Sequence, residues 1–381
     1  MAGSSHQHQE TPFPGASGAD GRAELPRILA IDVGAGTQDI LIFEPDQEPE
    51  NCPKLVLPAQ TQVVGRRIRE ATSQRRAVHL QGVLMGGGAT SDAARDHLAA
   101  GLPLSATADA ARTLHNDPAR VAAMGVERRD EAPADAVVIR TGDIDRAALA
   151  DALARFGISV PETVAVAVQD HGFRPGSGNN EVRFEYLQGL LAGAGDLRRM
   201  VYRDPPSGMT RMAAVAAMNP GAYVMDTGAA AVLGSLGDPV VAEAAATEGA
   251  ILVNVGNMHT FATLVRGRRL FGLFEHHTGG ITTAIIADLV ERLRSGRIDP
   301  LSFRREFDGH GAALDPEYHE VGPFRFVAVT GPNRRLARPL GFHEAAPYGD
   351  MMLAGAYGLV EGVLLLREQE EENLRAAPRT G

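Results

Sequence analysis

Cysteine is almost absent from this chain. Cys52 is the only one in 381 residues. No intrachain disulfide, cysteine-rich zinc site or cysteine-held iron–sulfur cluster can be built from it. A reducing, cytoplasmic setting is therefore expected. There is no apolar run of 18 residues, and the first residues lack the basic-then-apolar layout of a signal peptide, so a soluble protein without membrane contact is expected. Positive charge is also short, with 37 Lys and Arg against 47 Asp and Glu for a net charge of −10. The pairs Arg66-Arg67, Arg75-Arg76 and Arg334-Arg335 are isolated and form no basic stripe, which argues against a nucleic-acid partner. Tryptophan is missing and aromatic residues are few.

Glycine and alanine, in contrast, are plentiful, as α/β packing with tight turns requires, and 44% hydrophobic content over this length is enough for two domains. The most informative stretch runs from Ile28 to Phe43. Two apolar β-type runs flank Gly34-Ala35-Gly36-Thr37, which predicts a hairpin. Glycines let backbone N–H groups turn outward toward an anion, and Thr37 and Gln38 add side-chain donors. Asp32, where the strand enters the turn, is placed to meet a hydrated Mg²⁺. A tight hairpin with a solvated aspartate would share this pattern. Residues 251–265 repeat the design, with Asn254 in the place of Asp32, then Gly256, Asn257 and a polar turn reaching Thr260. Two such hairpins a domain apart predict related halves facing a shared cleft. A P-loop is excluded because G-x-x-x-x-G-K-[ST] does not occur, and the dinucleotide fingerprint fails because Asp39 stands at its third glycine.

Elsewhere, residues 1–25 read as a disordered polar tail whose His6 and His8 need bind nothing. Strand 78–84 leads into Gly86-Gly87-Gly88, with Thr90 or Ser91 expected to cap the next helix, either as an anion site or as a plain βα turn. A single short helix is expected over 106–114. Strand 164–168 runs into the polar loop 169–180, where Asp170 and His171 suggest an acid–base pair and Asn179 and Asn180 a substrate contact, or else a capped surface loop. Asp226 ends another strand and starts a stretch of small residues. His276 and His277 are adjacent and would point to opposite faces of a strand, which disfavours a shared metal. Strand 325–329 precedes the turn Gly331-Pro332-Asn333, and a helix is expected over 348–363, followed by a charged tail from Arg367.

Five segments in this order resemble the superfamily of acetate and sugar kinases, Hsp70 chaperones and actin: 31–43 and 252–265 as its two phosphate motifs, 326–335 as its adenosine motif, 224–236 and 348–363 as its connecting helices. More closely, the chain resembles a prokaryotic family whose members are often labelled pyruvate formate-lyase activating enzymes. Such activators hold a radical cluster on three closely spaced cysteines, which this chain lacks, and the cluster-bearing activators of dehydratases fail on the same ground. The resemblance implies an α/β fold of two ribonuclease-H-like, actin-like ATPase domains with a nucleotide cleft between them. The first would span 26–240 with an inserted substrate-side segment, and the second 241–366, with a tail at 367–381. It also implies ATP and Mg²⁺ as cofactors. Asp32 would hold the metal through water, Gly34, Gly36, Thr37 and Gln38 the phosphates from one side, and Asn254, Gly256, Asn257 and Thr260 from the other. Gly331 and Asn333 would lie under adenosine, and Asp226 would orient the attacking group. Two departures stand out: Asn254 replaces an aspartate, and Gly-Pro-Asn replaces Gly-Gly-Ser/Thr. The expected function is an ATPase or a kinase for a small polar substrate, the alternative a nucleotide-gated regulator of a protein partner.

Overall fold

The computed structural model describes residues 25–177, 180–192, 194–307 and 311–376. Of the expected leading tail, residues 1–25, all but Leu25 lie outside these. The chain opens with an antiparallel meander of β1 (Ile28–Val33), β2 (Thr37–Phe43) and β3 (Lys54–Pro58). It then leaves to build a small sheet from β4 (Val78–Gly82), β5 (Leu104–Ala106), β6 (Glu127–Arg128) and β7 (Val137–Thr141). It returns as β8 (Thr163–Val168), β9 (Val201–Tyr202) and β10 (Tyr223–Met225), and ends with β11 (Ala250–Val255), β12 (His259–Arg266), β13 (Arg269–His277), β14 (Ala312–Leu314), β15 (Phe326–Thr330) and β16 (His343–Glu344).

Two large sheets repeat one plan. The first runs β3-β2-β1-β8-β10 with β9 at its edge, and the second runs β13-β12-β11-β15-β16 with β14 at its edge. In each, a three-strand antiparallel meander continues through its first strand into parallel neighbours. That order is the ribonuclease-H-like arrangement, so the fold is α/β with two such lobes. The strands β1 and β11 sit centrally and are covered on both faces, which is why each reads as an unbroken apolar run up to its polar residue. The small sheet, order β6-β5-β4-β7, is wholly parallel and has its own core around Val64, Leu80 and Ile139.

The chain crosses between lobes twice. Helix Thr227–Ser235 leaves β10, and helix Ala354–Ala376 comes back from β16 to lie against β1, β2 and β8. The two helices touch backbone to backbone. A methyl group on Gly234 would fall 1.7 Å from the Ala354 carbonyl oxygen, and one on Gly358 would fall 1.8 Å from that of Ala230. Only glycine allows this approach. No single helix among the described residues is long and apolar enough to cross a membrane.

Several expected boundaries move. The helix after the glycine triplet begins at Gly88, because the Thr90 hydroxyl donates to the Thr61 carbonyl (3.0 Å) from inside the helix instead of capping it. The single helix expected over 106–114 is β5 followed by one turn, Ala108–Ala111. The last helix starts at Ala354, after two 3₁₀ turns in which Tyr348 has φ of 50°. It also runs ten residues into the charged segment expected to be a tail. Ion pairs hold that segment: Glu368 to Arg268 (2.8 Å), Glu370 to Arg203 (3.3 Å) and Glu372 to Arg198 (3.5 Å).

Candidate functional site

The β1–β2 turn closes with the Gly34 N–H donating to the Thr37 carbonyl (2.9 Å), and no backbone partner for the Ala35 and Gly36 amides occurs among the described residues. The register pairs Asp32 directly with Asp39. Cross-strand partners share a face, so the two carboxylates stand side by side. Both Oδ1 atoms are buried without a hydrogen-bond partner. Burial pushes the Asp32 carboxyl well above the usual range, with Asp39 and Asp226 adding to the shift. Burial also pushes Asp39 up to about 6, opposed by a hydrogen bond from Thr37. The start of the last helix presses on this pair, since a methyl group on Gly355 would fall 1.9 Å from Asp32 Oδ2. Gln38 is buried and donates to the Pro58 carbonyl (3.0 Å), which binds the hairpin to β3.

The second hairpin closes the same way, Gly256 N–H to the His259 carbonyl (3.0 Å). Its tip faces the first: a methyl group on Gly36 would lie 3.7 Å from Asn257 Nδ2. Asn254 donates to Thr330 Oγ1 (3.1 Å) and has Phe261 as its cross-strand partner. Thr260 is fully buried with its hydroxyl bonded to that of Thr278 (3.1 Å), so its side chain is spent inside the lobe. The Gly331-Pro332-Asn333 turn is stapled to this hairpin. Asn333 donates from its backbone to the Val255 carbonyl (3.0 Å) and from Nδ2 to that of Gly256 (2.9 Å). Gly331, at φ 95°, leans on Val255 where a side chain would collide.

Between the lobes lies a buried ionic junction. Arg183, in helix Glu181–Leu191, clasps both oxygens of Asp226 (2.7 and 3.1 Å) and reaches Glu275 on β13 through Nε (3.0 Å) and Nη2. Asp226 also accepts from the Gly228 N–H (3.0 Å) and so caps helix Thr227–Ser235. Its carboxylate is occupied on both oxygens. Gln169 extends the network, donating to Glu275 (3.2 Å) and accepting from Thr227 (3.1 Å).

Asp170, expected to pair with His171, spends one carboxylate oxygen on its own loop and the other on the start of helix Thr210–Met218. It accepts from the backbone N–H groups of Gly172 (2.8 Å), Arg211 (2.8 Å) and Met212 (2.9 Å). His171 hydrogen-bonds Asn180, and burial followed by the nearby Arg183 charge lowers its pKa. Its ring meets His259 of the second hairpin at 5.0 Å, and His259 meets His277 at 5.3 Å. Asn179 lies outside the described residues. Beside this loop opens a cleft of about 930 Å³, bordered by Gly86, Gly87, Arg112, His171, Asn180 and Arg211. The glycine triplet and the polar loop, far apart in sequence, therefore line one cavity.

Residues 85–336 match the family described as "Putative pyruvate format-lyase activating enzyme (DUF1786)". The chain belongs to this family. The first hairpin of this DUF1786 member lies ahead of the matched residues, and the second lies within them. Curated protein sequences give no match. Among solved structures, the chain is similar to the ethanolamine utilization protein EutJ from Carboxydothermus hydrogenoformans (12% identity, 88% of this chain and 90% of that one, TM-score 0.31). It is also similar to an inorganic polyphosphate/ATP-glucomannokinase from Arthrobacter sp. strain KM (11% identity, 91% and 100%, TM-score 0.33) and to a PilM-PilN type IV pilus biogenesis complex (12% identity, 88% and 98%, TM-score 0.35). At these scores the fold assignment rests on the repeated strand order.

Proposed function

We propose that this family member binds Mg-ATP between its two hairpins and transfers a phosphoryl group to water or to a small polar substrate held in the 930 Å³ cleft. The observation that carries the reading is the opposition of the two hairpin tips beside an aspartate whose buried oxygen has no partner. A hard cation suits that oxygen. Asp32 would hold Mg²⁺, the amides of 35–36 and 257–258 in the turns that Gly34 and Gly256 close would cradle phosphates, and the turn at 331–333 would border adenosine. When bound, the cation would neutralise charge on the phosphates. His171 and His259 would face the transferred group, and Asp226, clasped by Arg183, would position helix Thr227–Ser235. The protein is proposed to be cytoplasmic.

The activity in the family's description is not proposed for this chain. Its one thiol, Cys52, is buried and hydrogen-bonded to the Glu44 backbone, and cannot replace three cluster-bearing cysteines. A second reading, a nucleotide-gated regulator with little turnover that signals to a protein partner, draws on Asn254 being neutral and Asp226 being fully occupied.

The test is thermal unfolding with Mg-ATP, Mg-ADP and EDTA. Nucleotide at a hundred times its dissociation constant adds about 2.7 kcal/mol, a rise of a few degrees. A Mg-dependent rise that Asp32→Ala removes supports the reading, and no rise at millimolar nucleotide overturns it. ADP formation, which accompanies transfer either to water or to a substrate, then separates turnover from gating.

A further inference from the structure

We infer that Asp39 joins Asp32 in a divalent-cation site on the first lobe that fills without nucleotide. The inference shares Asp32 with the proposed function but needs neither ATP nor the second lobe. Its ground is an imbalance of charge. Asp39 is 8% exposed, stands opposite Asp32 in the ladder, and has one carboxylate oxygen buried with no partner, as Asp32 does. Neither carboxylate makes an ion pair among the described residues, and the charges that act on them come from other acids, Asp226 and Asp350. A buried carboxylate normally has a cation or a full set of donors. Asp39 has the Thr37 hydroxyl, and Asp32 has the backbone of the last helix packed against its other oxygen.

Cross-strand partners carry Cβ atoms about 5 Å apart, so one oxygen from each can converge on a single ion. Mg²⁺ or Mn²⁺, which takes oxygen ligands at about 2.1 Å, suits two neighbouring carboxylates that each keep an unpartnered oxygen. The second hairpin is a built-in control. Asn254 is neutral, its amide nitrogen is bonded to Thr330, and its cross-strand partner is Phe261, so the equivalent pair there offers a cation no carboxylate.

The experiment uses the full chain stripped with EDTA, free of nucleotide, titrated with MnCl₂ by calorimetry and by electron paramagnetic resonance, with thermal unfolding in MgCl₂ alongside. The expected result is a single Mn²⁺ site, a rise in Tm with Mg²⁺, and a loss of affinity of more than about tenfold in Asp39→Asn. That variant keeps the side-chain shape and removes a buried charge, so its metal-free Tm should equal or exceed the wild type's. Loss of binding is then not unfolding. The inference is overturned if Mn²⁺ binds only with ATP, if Asp39→Asn binds as the wild type does, or if neither ion has an effect because the pair shares a proton instead. A Mg-ATP shift retained in Asp39→Asn without cation binding alone would sink this inference and leave the nucleotide reading standing. Cation binding through Asp39 with no nucleotide shift would do the reverse.

Discussion

The two hairpins have the same turn closure and the same neighbours in their sheets, yet opposite chemistry. In the first, the polar position before the turn is Asp32 and its cross-strand partner is Asp39; in the second, these are Asn254 and Phe261. The first keeps two buried carboxylate oxygens without partners, whereas the Asn254 amide is bonded and Thr260 is turned inward. The strand plan repeats and the charge does not. On the function proposed above, the first lobe would attract the cation and the second would meet it with backbone and neutral side chains.

The largest expected effect comes from cutting what joins the unequal lobes. Arg183→Ala leaves Asp226 and Glu275 buried without their cation and should cost about 3–5 kcal/mol in urea unfolding. A cost below about 1 kcal/mol would show that water already compensates those acids. Next is the contact peculiar to the acidic hairpin. Gly355→Ala drives a methyl group into Asp32 and should cost about 1–3 kcal/mol, less in an Asp32→Ala background because the two sites share one space. Additive costs would mean that the helix, rather than Asp32, absorbs the strain. Asn254→Asp tests whether the second hairpin can be made like the first. It loses the donor to Thr330 and should cost about 1 kcal/mol, which added Mg²⁺ does not recover because Phe261 supplies no second carboxylate.

The smallest effect concerns the helix that starts against Asp32. Burial pushes Glu361 from its usual 4.5 up to about 7. Its folded state favours the protonated form, so its contribution to stability is full below about pH 4.5, falls as pH rises to about 7, and is flat above. Glu361→Gln should flatten that slope in a Tm-against-pH series, and an unchanged slope would assign it to other groups.

Much of this was readable from residue order. Turn closure between residues 34 and 37 fixes that 32 faces 39, so the acidic pair could be found by counting outward, although Asp39 stood out only as a failed glycine position. The Asp32, Gly34, Gly256 and Asn257 placements followed from local pattern, and so did both sheets' central strands. What could not be read is long-range. Arg183 meets partners 43 and 92 residues away, and no periodicity announces such a junction. Asp170 and Thr260 had the right residue types, but their partners, the amides of a later helix and the Thr278 hydroxyl, exist only once the chain has folded. The charged stretch after Arg367 looked like a tail because the arginines that hold it lie in both lobes.

The glycine crossing of the two connecting helices has a mechanical consequence. With no side chain between Gly234 and Gly358, the helices bear on one another as the blades of scissors bear on their rivet, and any swing of the lobes about that point would involve little sliding. Gly355 lies three residues from that rivet, about 4.5 Å along the helix axis. Such a short arm would turn a wide swing at the hairpin tips into a small displacement at Asp32, against which Gly355 packs.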